Sequence, residues 1–475
     1  MITQNIFNKR MLCMAVAACT AILFSCKKLV DVKAPVTSTN AANVYANNAT
    51  AAAVLTGIYI NLNNTGLASG GSSLGLSSAL SADDLELDPS NSNSVYSAYY
   101  QNNLGAATNG FEIWNEIYPF VFTCNSAIEG LNNSTGVTLP VKQQLLGEAK
   151  FMRAFFYFYL VNLYGAVPLA VSSDYKVNSV LPRSSTADVY SQIVSDLKDA
   201  ENLLSPGYVA SDAVSSYGDR VRPNKWAAAA LLARVYLFTG DYSNAQAEAT
   251  KVLGNSSTYT LSPLNQTFLA ASLGNSEAIW QLQPINAERN TEDAFVYIPT
   301  TDATIHVSSY LLNAFEPNDQ RRVNWIGSIA LGGVTYFYPY KYKATTYSSG
   351  SATEYVMVLR LAEQYLIRAE AEAQQGNISG AQADLNMIRQ RAGLNPTTAS
   401  DKLGLLAAIL HERQIELFTE WGHRWLDMKR TGNANIIMSV VCPNKGGTWS
   451  SNWQLYPVPS HEIQTGFNLT QNPGY

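Results

Sequence analysis

The chain has 475 residues, 47% of them apolar, and carries 31 Lys and Arg against 36 Asp and Glu for a formal net charge of −5. A chain of this length and apolar content can bury a large core without disulfides, and the lack of any basic tract speaks against nucleic acid as a partner. Only 14% of the residues are charged while 27 are tyrosine, so the surface is weakly charged and rich in flat rings, which suits neutral hydroxyl-rich ligands better than ionic ones.

Residues 1–25 read as a secretory signal. Lys9 and Arg10 supply the positive start, residues 11–25 carry no charge, and Lys27 and Lys28 end the apolar run, which is too short for a spanning helix. Leu23-Phe24-Ser25-Cys26 has a leucine three places before the cysteine and a small residue one place before it, the pattern of a bacterial lipoprotein cleavage site. The mature chain then begins at Cys26 with acyl chains attached. At about 0.8 kcal/mol per buried CH2, two or more chains make a lasting anchor. Cleavage removes two basic residues and takes the net charge to −7. It also leaves Cys124 and Cys442 as the only further cysteines, so at most one disulfide is available to them. Residues 26–40 read as a tether between lipid and body.

The body, 41–475, is expected to be one mostly α domain: an N-terminal part to about 253, a loop-rich insert to about 351, and a helical C-terminal part. Residues 41–61 are alanine-rich and predict a helix. Residues 65–109 are rich in Ser, Asn and Gly and read as a long loop, which is usually functional or disordered. Helices are predicted over 111–131, 141–164 and 187–204. The second of these is aromatic enough to be buried on most sides, and the third is capped by Ser185 with Asp188 three residues on.

A repeat follows. Helix 226–238 ends at Gly240-Asp241 and its partner opens at Ala245; helix 361–375 ends at Gly376-Asn377 and its partner opens at Ala381. The glycine relieves the helix end and the alanine lets the second helix approach closely. Such hairpins are tetratricopeptide-like, and 403–430 predicts further helix. Residues 254–351, with Trp325, Tyr336, Tyr338, Tyr340 and Tyr342, lose the helical period for short alternating runs. The expectation is a helical scaffold carrying a loop-rich, partly β face on which a ligand binds.

Four ordered segments then resemble the SusD/RagB family of Bacteroidetes surface lipoproteins: Glu148 to Gly165 with Val167-Pro168; Arg360 to Glu370, running on to Arg389 and Arg391; Glu412 to Glu416 with Glu420 and Gly422 to Asp427; and Leu455 to Pro459 with the terminal Asn468 to Tyr475. The resemblance implies a scaffold of four tetratricopeptide-like units that captures a nutrient, usually a glycan, and acts as a hinged lid on a SusC-like TonB-dependent β-barrel of the outer membrane, with no cofactor and no catalysis. Peptide capture in the manner of RagB, or a helical scaffold for other surface proteins, are the alternatives. The charged residues of these segments read as framework ion pairs, Glu148 with Arg153 and Arg360 with Glu363, together with Glu412, Glu416, Arg424 and Asp427. Pro457 and Pro459 set an extended segment that packs back on the scaffold.

The resemblance implies a ligand face in the variable stretches around 81–105 and 280–345, which the family motifs do not cover. Sugar recognition needs aromatic faces and amide or carboxylate partners for hydroxyls, so Tyr96, Tyr99, Asn102, Trp325 and Tyr336 are the candidates. Asp84, Glu86 and Asp88 are weak calcium candidates, because Pro89 and Val95 stand where an EF-hand needs glycine and glutamate. Enzyme signals are thin. Gly71-x-Ser73-x-Gly75 lacks the preceding apolar strand of a nucleophile elbow, Ile415 replaces the second histidine of H-E-x-x-H, and His306, His411, His423 and His461 show no metal-ligand spacing.

Overall fold

The computed structural model describes residues 41–107, 109, 112–286, 289–346 and 352–475. The signal segment 1–25, Cys26 and the tether 26–40 lie outside the described residues.

Helices dominate, and they stack in chain order. Glu112–Asn133 packs on Leu139–Tyr164, which packs on Thr186–Leu203; then follow Lys225–Thr239, Tyr242–Leu253, Leu361–Gln374 and Ile378–Arg391, each against its predecessor. This is the expected tetratricopeptide-like succession. The hairpin chemistry is as the repeat predicted. Gly240 and Gly376 take φ of 76° and 84°, which a glycine adopts without strain. Asp241 and Asn377 cap the partner helices by accepting the amides of Asn244 and Gly380, and Ala245 and Ala381 are wholly buried in the close approach.

The helix Leu139–Tyr164 is buried on most sides, above all in its second half. From Phe151 to Leu160 every side chain is buried, including Arg153. Phe155 meets Trp280, Trp421 and Tyr159 edge-on at 5.0 to 5.4 Å, a favoured aromatic geometry. The Thr186–Leu203 helix starts as predicted, with Ser185 Oγ accepting the Asp188 amide.

The insert leaves the scaffold after Tyr242–Leu253 and returns at Leu361–Gln374, and those two helices pack directly on each other. Its root is a buried antiparallel pair, Ala278–Leu282 with Val356–Arg360. Farther out, Ile326–Leu331 and Val334–Pro339 form a hairpin closed by Gly332-Gly333. Both glycines have positive φ, 58° and 83°, as a two-residue hairpin turn of this hand requires.

One expectation changes, one is refined and one open question closes. Residues 65–109 are not a long loop: they form the helix Leu74–Ser81, the strand Leu85–Leu87 paired with Ile305–Val307, and the helix Ser94–Tyr100. Small residues let this segment press into the scaffold. A Cβ on Gly75 would stand 2.5 Å from the Thr419 carbonyl oxygen, and one on Gly422 would stand 2.7 Å from Ser78 Oγ. The predicted 403–430 helix is two, Lys402–Leu417 and His423–Arg430, separated by a turn in which Thr419, Trp421 and Gly422 all have positive φ. That strained turn drives Glu420 and Trp421 into the core, with Trp421 Nε1 donating to the Met357 carbonyl at 2.7 Å. Cys124 and Cys442 are both buried and free, so the disulfide left open by the sequence is not formed.

The framework ion pairs are real but their partners are not the sequence neighbours. Glu148 holds Arg222 and Arg153 holds Asp196. Glu363 holds Arg234 in a fork with both contacts at 2.6 Å. Arg360 donates to Glu277, Glu416 and Glu420, while Arg321 and Arg391 complete the cage around Glu416. Burial works to raise the Glu416 carboxyl, yet Arg391, Arg360 and Arg321 outweigh it and hold it well below the usual range. Arg424 pairs with Asp83, and Asp427 with Arg413 and Arg430. As predicted, the Pro457–Pro459 segment packs back, with Tyr456 and Val458 buried and the Tyr456 amide donating to the Leu163 carbonyl.

Candidate ligand-binding face

The five candidate residues separate into core and surface. Trp325 is wholly buried, its indole N–H donates to the Leu264 carbonyl at 2.9 Å, and Lys341, Arg360 and Arg391 stand over its ring at 5.1 to 5.9 Å. Its faces are filled by the charged core, so it offers none to a ligand. Tyr99 is also buried, edge-on to Tyr456 at 5.5 Å with its hydroxyl donating to Glu112. Asn102 is buried with φ of 51° and donates to the Ser81 carbonyl, ending the Ser94–Tyr100 helix. Tyr96 is half-buried and turned inward, its hydroxyl 2.5 Å from where a Gly71 Cβ would be. Tyr336 alone among the five belongs to an outward-facing row.

The row is built by the hairpin. Along Val334–Pro339 side chains alternate between faces. Phe337 packs on the core that includes Trp325 and Phe268, which leaves Tyr336 and Tyr338 on the other face, both half-buried. Tyr338 lies across its cross-strand neighbour Gly327, where a Cβ would come within 2.3 Å of the ring. Tyr340 meets Tyr338 edge-on at 5.7 Å, and Lys343 Nζ stands 5.4 Å from the Tyr340 ring. At the other end, Tyr336 meets His306 at 5.2 Å. His306 is paired in register with Glu86 on the neighbouring strand, and their side chains meet at 3.3 Å. Tyr100, with Lys445 Nζ 4.8 Å from its ring, and Tyr310, whose hydroxyl accepts from Asn444, complete that polar end.

The electrostatics fit recognition of hydroxyls. The His306 hydrogen bond, followed by those from Ser309, holds the Glu86 carboxyl below its usual range despite partial burial, so it is an ionised acceptor at neutral pH. Burial and then the Glu86 charge hold the Tyr100 phenol above its usual range, so it stays neutral and able to donate. The face therefore offers rings for the apolar side of a sugar and a carboxylate, an imidazole and phenols for its hydroxyls.

The calcium candidates do not converge. Asp84 is buried, where desolvation and then Asp83 raise its carboxyl to about 7; Glu86 is taken up by His306; and Asp88 accepts from Ser90. Among the described residues no group of three or more His, Cys, Asp or Glu side chains could hold a metal ion. Ser73 of the G-x-S-x-G match is a helix cap, its Oγ accepting the Leu76 amide.

Sequence reasoning named Tyr336 but passed over Tyr338, Tyr340, Glu86 as a hydroxyl partner, His306, Tyr100 and Tyr310. The i, i+2, i+4 spacing of Tyr336, Tyr338 and Tyr340 after Gly332-Gly333 was the available signal for a one-faced aromatic row. No local signal joins His306 to Glu86, since they meet only through strand pairing.

Residues 271–475 match a family model described as the SusD family, and residues 33–237 match one described as starch-binding, associating with outer membrane. SusD-like protein P2 of Formosa agariphila is 28% identical over 420 residues, covering 76% of this chain and 80% of that protein. The solved structure of a SusD superfamily protein from Bacteroides vulgatus superposes with a TM-score of 0.77 at 20% identity, over 91% of this chain and 100% of that one. The surface glycan-binding protein A from Bacteroides thetaiotaomicron gives a TM-score of 0.74 at 20% identity, over 90% and 100%.

Proposed function

Because this chain belongs to the SusD/RagB family, we propose that it is a surface lipoprotein that captures glycan on the Tyr336–Tyr338–Tyr340 row and delivers it to a SusC-like TonB-dependent barrel in the outer membrane. The observation that carries the reading is the row itself: three rings on one outward face, ending at an ionised carboxylate beside a histidine. The starch-binding family description and the glycan-binding name of a structural relative support the same ligand class.

The mechanism is binding and transfer, with no bond made or broken. Rings stack on sugar faces, and Glu86, His306 and the phenols take hydroxyls. An ionised Glu86 accepts donors and repels anionic glycans, which favours neutral ones. Acylation at Cys26 keeps the body at the membrane face. Among the described residues no helix is long and apolar enough to cross a membrane, and the lipid anchor supplies the attachment in this reading. Closure over the barrel follows only if the liganded chain has higher affinity for the closed state.

Calorimetric titration of the purified chain with a panel of neutral and acidic polysaccharides tests this. The expected result is binding to at least one neutral glycan that weakens about fivefold or more in Tyr336→Ala, from loss of roughly 1 kcal/mol of stacking. A glycan bound equally well by wild type and Tyr336→Ala would remove the row from the site.

A further inference from the structure

At the polar end of the row both ring nitrogens of His306 face an oxygen. Nδ1 lies 3.2 Å from the Ala303 carbonyl, and Nε2 lies 3.3 Å from Glu86 Oε2. Neither oxygen has a proton to donate, since one is a backbone carbonyl and Glu86 is ionised at neutral pH. A neutral imidazole carries one N–H and one lone pair, so it satisfies only one of the two contacts. The imidazolium, with two N–H groups, satisfies both. Strand pairing sets Glu86 opposite His306, so the fold brings the two together whatever the charge on the ring.

The two contacts are not equally dispensable. Ala303 is buried, and among the described residues its carbonyl has no other donor. Leaving it bare costs the desolvation of a buried acceptor. Glu86 has a second hold, the Ser309 amide donating to Oε1 at 3.2 Å, and its side chain is 36% exposed. When the ring loses a proton, the remaining N–H therefore stays on Nδ1 with Ala303, and the Nε2 lone pair faces the Glu86 carboxylate. Repulsion between them opens the pair. Glu86 Oε2 and His306 Nε2 then stand as adjacent acceptors beside the Tyr336 ring, which meets the imidazole edge-on at 5.2 Å. Sugar hydroxyls donate to such acceptors, whereas in the closed pair the ring N–H occupies Oε2. The other titratable groups here come from four elements. Asp88 follows Glu86 and accepts from Ser90, Tyr336 belongs to the hairpin, Tyr310 to the helix Ser309–Ala314 and Tyr100 to Ser94–Tyr100. Lys445 stands over the Tyr100 ring, and burial lowers its amine to about 8, so most of its charge persists at pH 7.5 and below. The buried Asp84 and Asp293 carboxyls, raised to about 7, also change charge near neutrality, and a His306 variant retains both.

We propose that His306 gates this end of the row by its charge: the imidazolium locks Glu86 into a closed pair, and the neutral ring releases Glu86 and its own Nε2 to glycan hydroxyls. Capture is then stronger in neutral than in acidic surroundings. The inference rests on the glycan reading of the row above and adds its regulation.

Wild type, His306→Asn and Tyr336→Ala are titrated calorimetrically at pH 5.5 and 7.5 with the polysaccharide panel above, soluble starch first. Melting curves at both pH values establish that each chain is folded. Asparagine sets its amide where Nδ1 stands, so it keeps a donor for Ala303 and puts nothing at the Nε2 position. Wild-type affinity should rise about fivefold or more from pH 5.5 to 7.5, because only the open fraction binds. The affinity of His306→Asn should change less than twofold. Nitrogen-15 spectra of the histidine-labelled wild type, with His306 assigned through the same variant, should show the Nδ1–H tautomer at pH 7.5. Three results overturn the gate while a loss of binding in Tyr336→Ala still supports the row: a wild-type affinity independent of pH, an equal pH response in His306→Asn, or an Nε2–H tautomer at pH 7.5. If Tyr336→Ala binds as well as wild type, or no polysaccharide of the panel binds, the row reading falls and the gate falls with it.

Discussion

Arg360→Met replaces the most heavily shared cation of the core by an apolar side chain of similar length. Arg360 donates to Glu420 Oε2 at 2.8 Å, to Glu420 Oε1 and Glu277 Oε1 at 2.9 Å, to the Glu416 carbonyl at 2.7 Å, and to the Glu416 carboxylate. Its removal leaves three buried carboxylates short of a partner. Arg391 still reaches Glu277 and Glu416, and Lys341 still reaches Glu420, so the cost belongs near that of one broken buried pair, about 3–5 kcal/mol. With an unfolding entropy of about 2.1 cal/mol/K per residue, that lowers Tm by roughly 3–6 °C in a unit of this length. Differential scanning calorimetry at pH 7 reads the shift directly.

The pH dependence supplies an internal check. Glu416 and Glu420 are held below their ordinary range in the folded chain. Their contribution is therefore present above the unfolded glutamate value and is lost as pH falls through the folded one. The gap between Arg360→Met and wild type should narrow below about pH 4, where carboxylates protonate. Adding Glu416→Gln to Arg360→Met should cost less than the sum of the two single changes, because each relieves the charge the other leaves unpaired. An Arg360→Met Tm within 1 °C of wild type at pH 7, or a gap independent of pH, would refute the view that this cage holds the insert to the scaffold.

Gly327→Ala should weaken glycan binding severalfold with little loss of Tm, because the new methyl strikes the Tyr338 ring and displaces it from the face; titration alongside a melting curve separates the two effects. Trp325→Ala should destabilise by about 3–5 kcal/mol, and glycan affinity measured well below its Tm should stay near wild type, since the indole is enclosed by the core. Asp293→Asn should raise Tm at pH 8 and lose that advantage toward pH 4. Burial, only partly offset by the Gly70 amide, raises the Asp293 carboxyl to about 7, so wild-type stability is highest below the unfolded aspartate value and falls as pH rises to 7; the asparagine keeps an acceptor for Gly70 without the charge. Tm against pH for both chains reads this directly.

Local chemistry was enough for the scaffold. Helical period, Gly240 and Gly376 stops, Asp241 and Asn377 starts and the Ser185 cap are interactions among residues within about five positions, so they can be read in one dimension. The class of the charged residues was legible too, because a charge on an apolar helix must be paired. Which residues pair was not: Glu148 with Arg222 and Arg360 with Glu277 join separate elements, and only packing brings them together. The same limit governs the ligand face. A buried Trp325 and a half-exposed Tyr336 carry the same aromatic signal in sequence, and the difference lies in whether Lys341, Arg360 and Arg391 fill the space around the ring. The Ser- and Gly-rich stretch at 65–109 read as loop because its residues have weak intrinsic preference, yet their small size is what lets the Leu74–Ser81 helix seat against Thr419. Intrinsic preference acts along the chain; burial, pairing and exposure are set by what arrives from tens to hundreds of residues away.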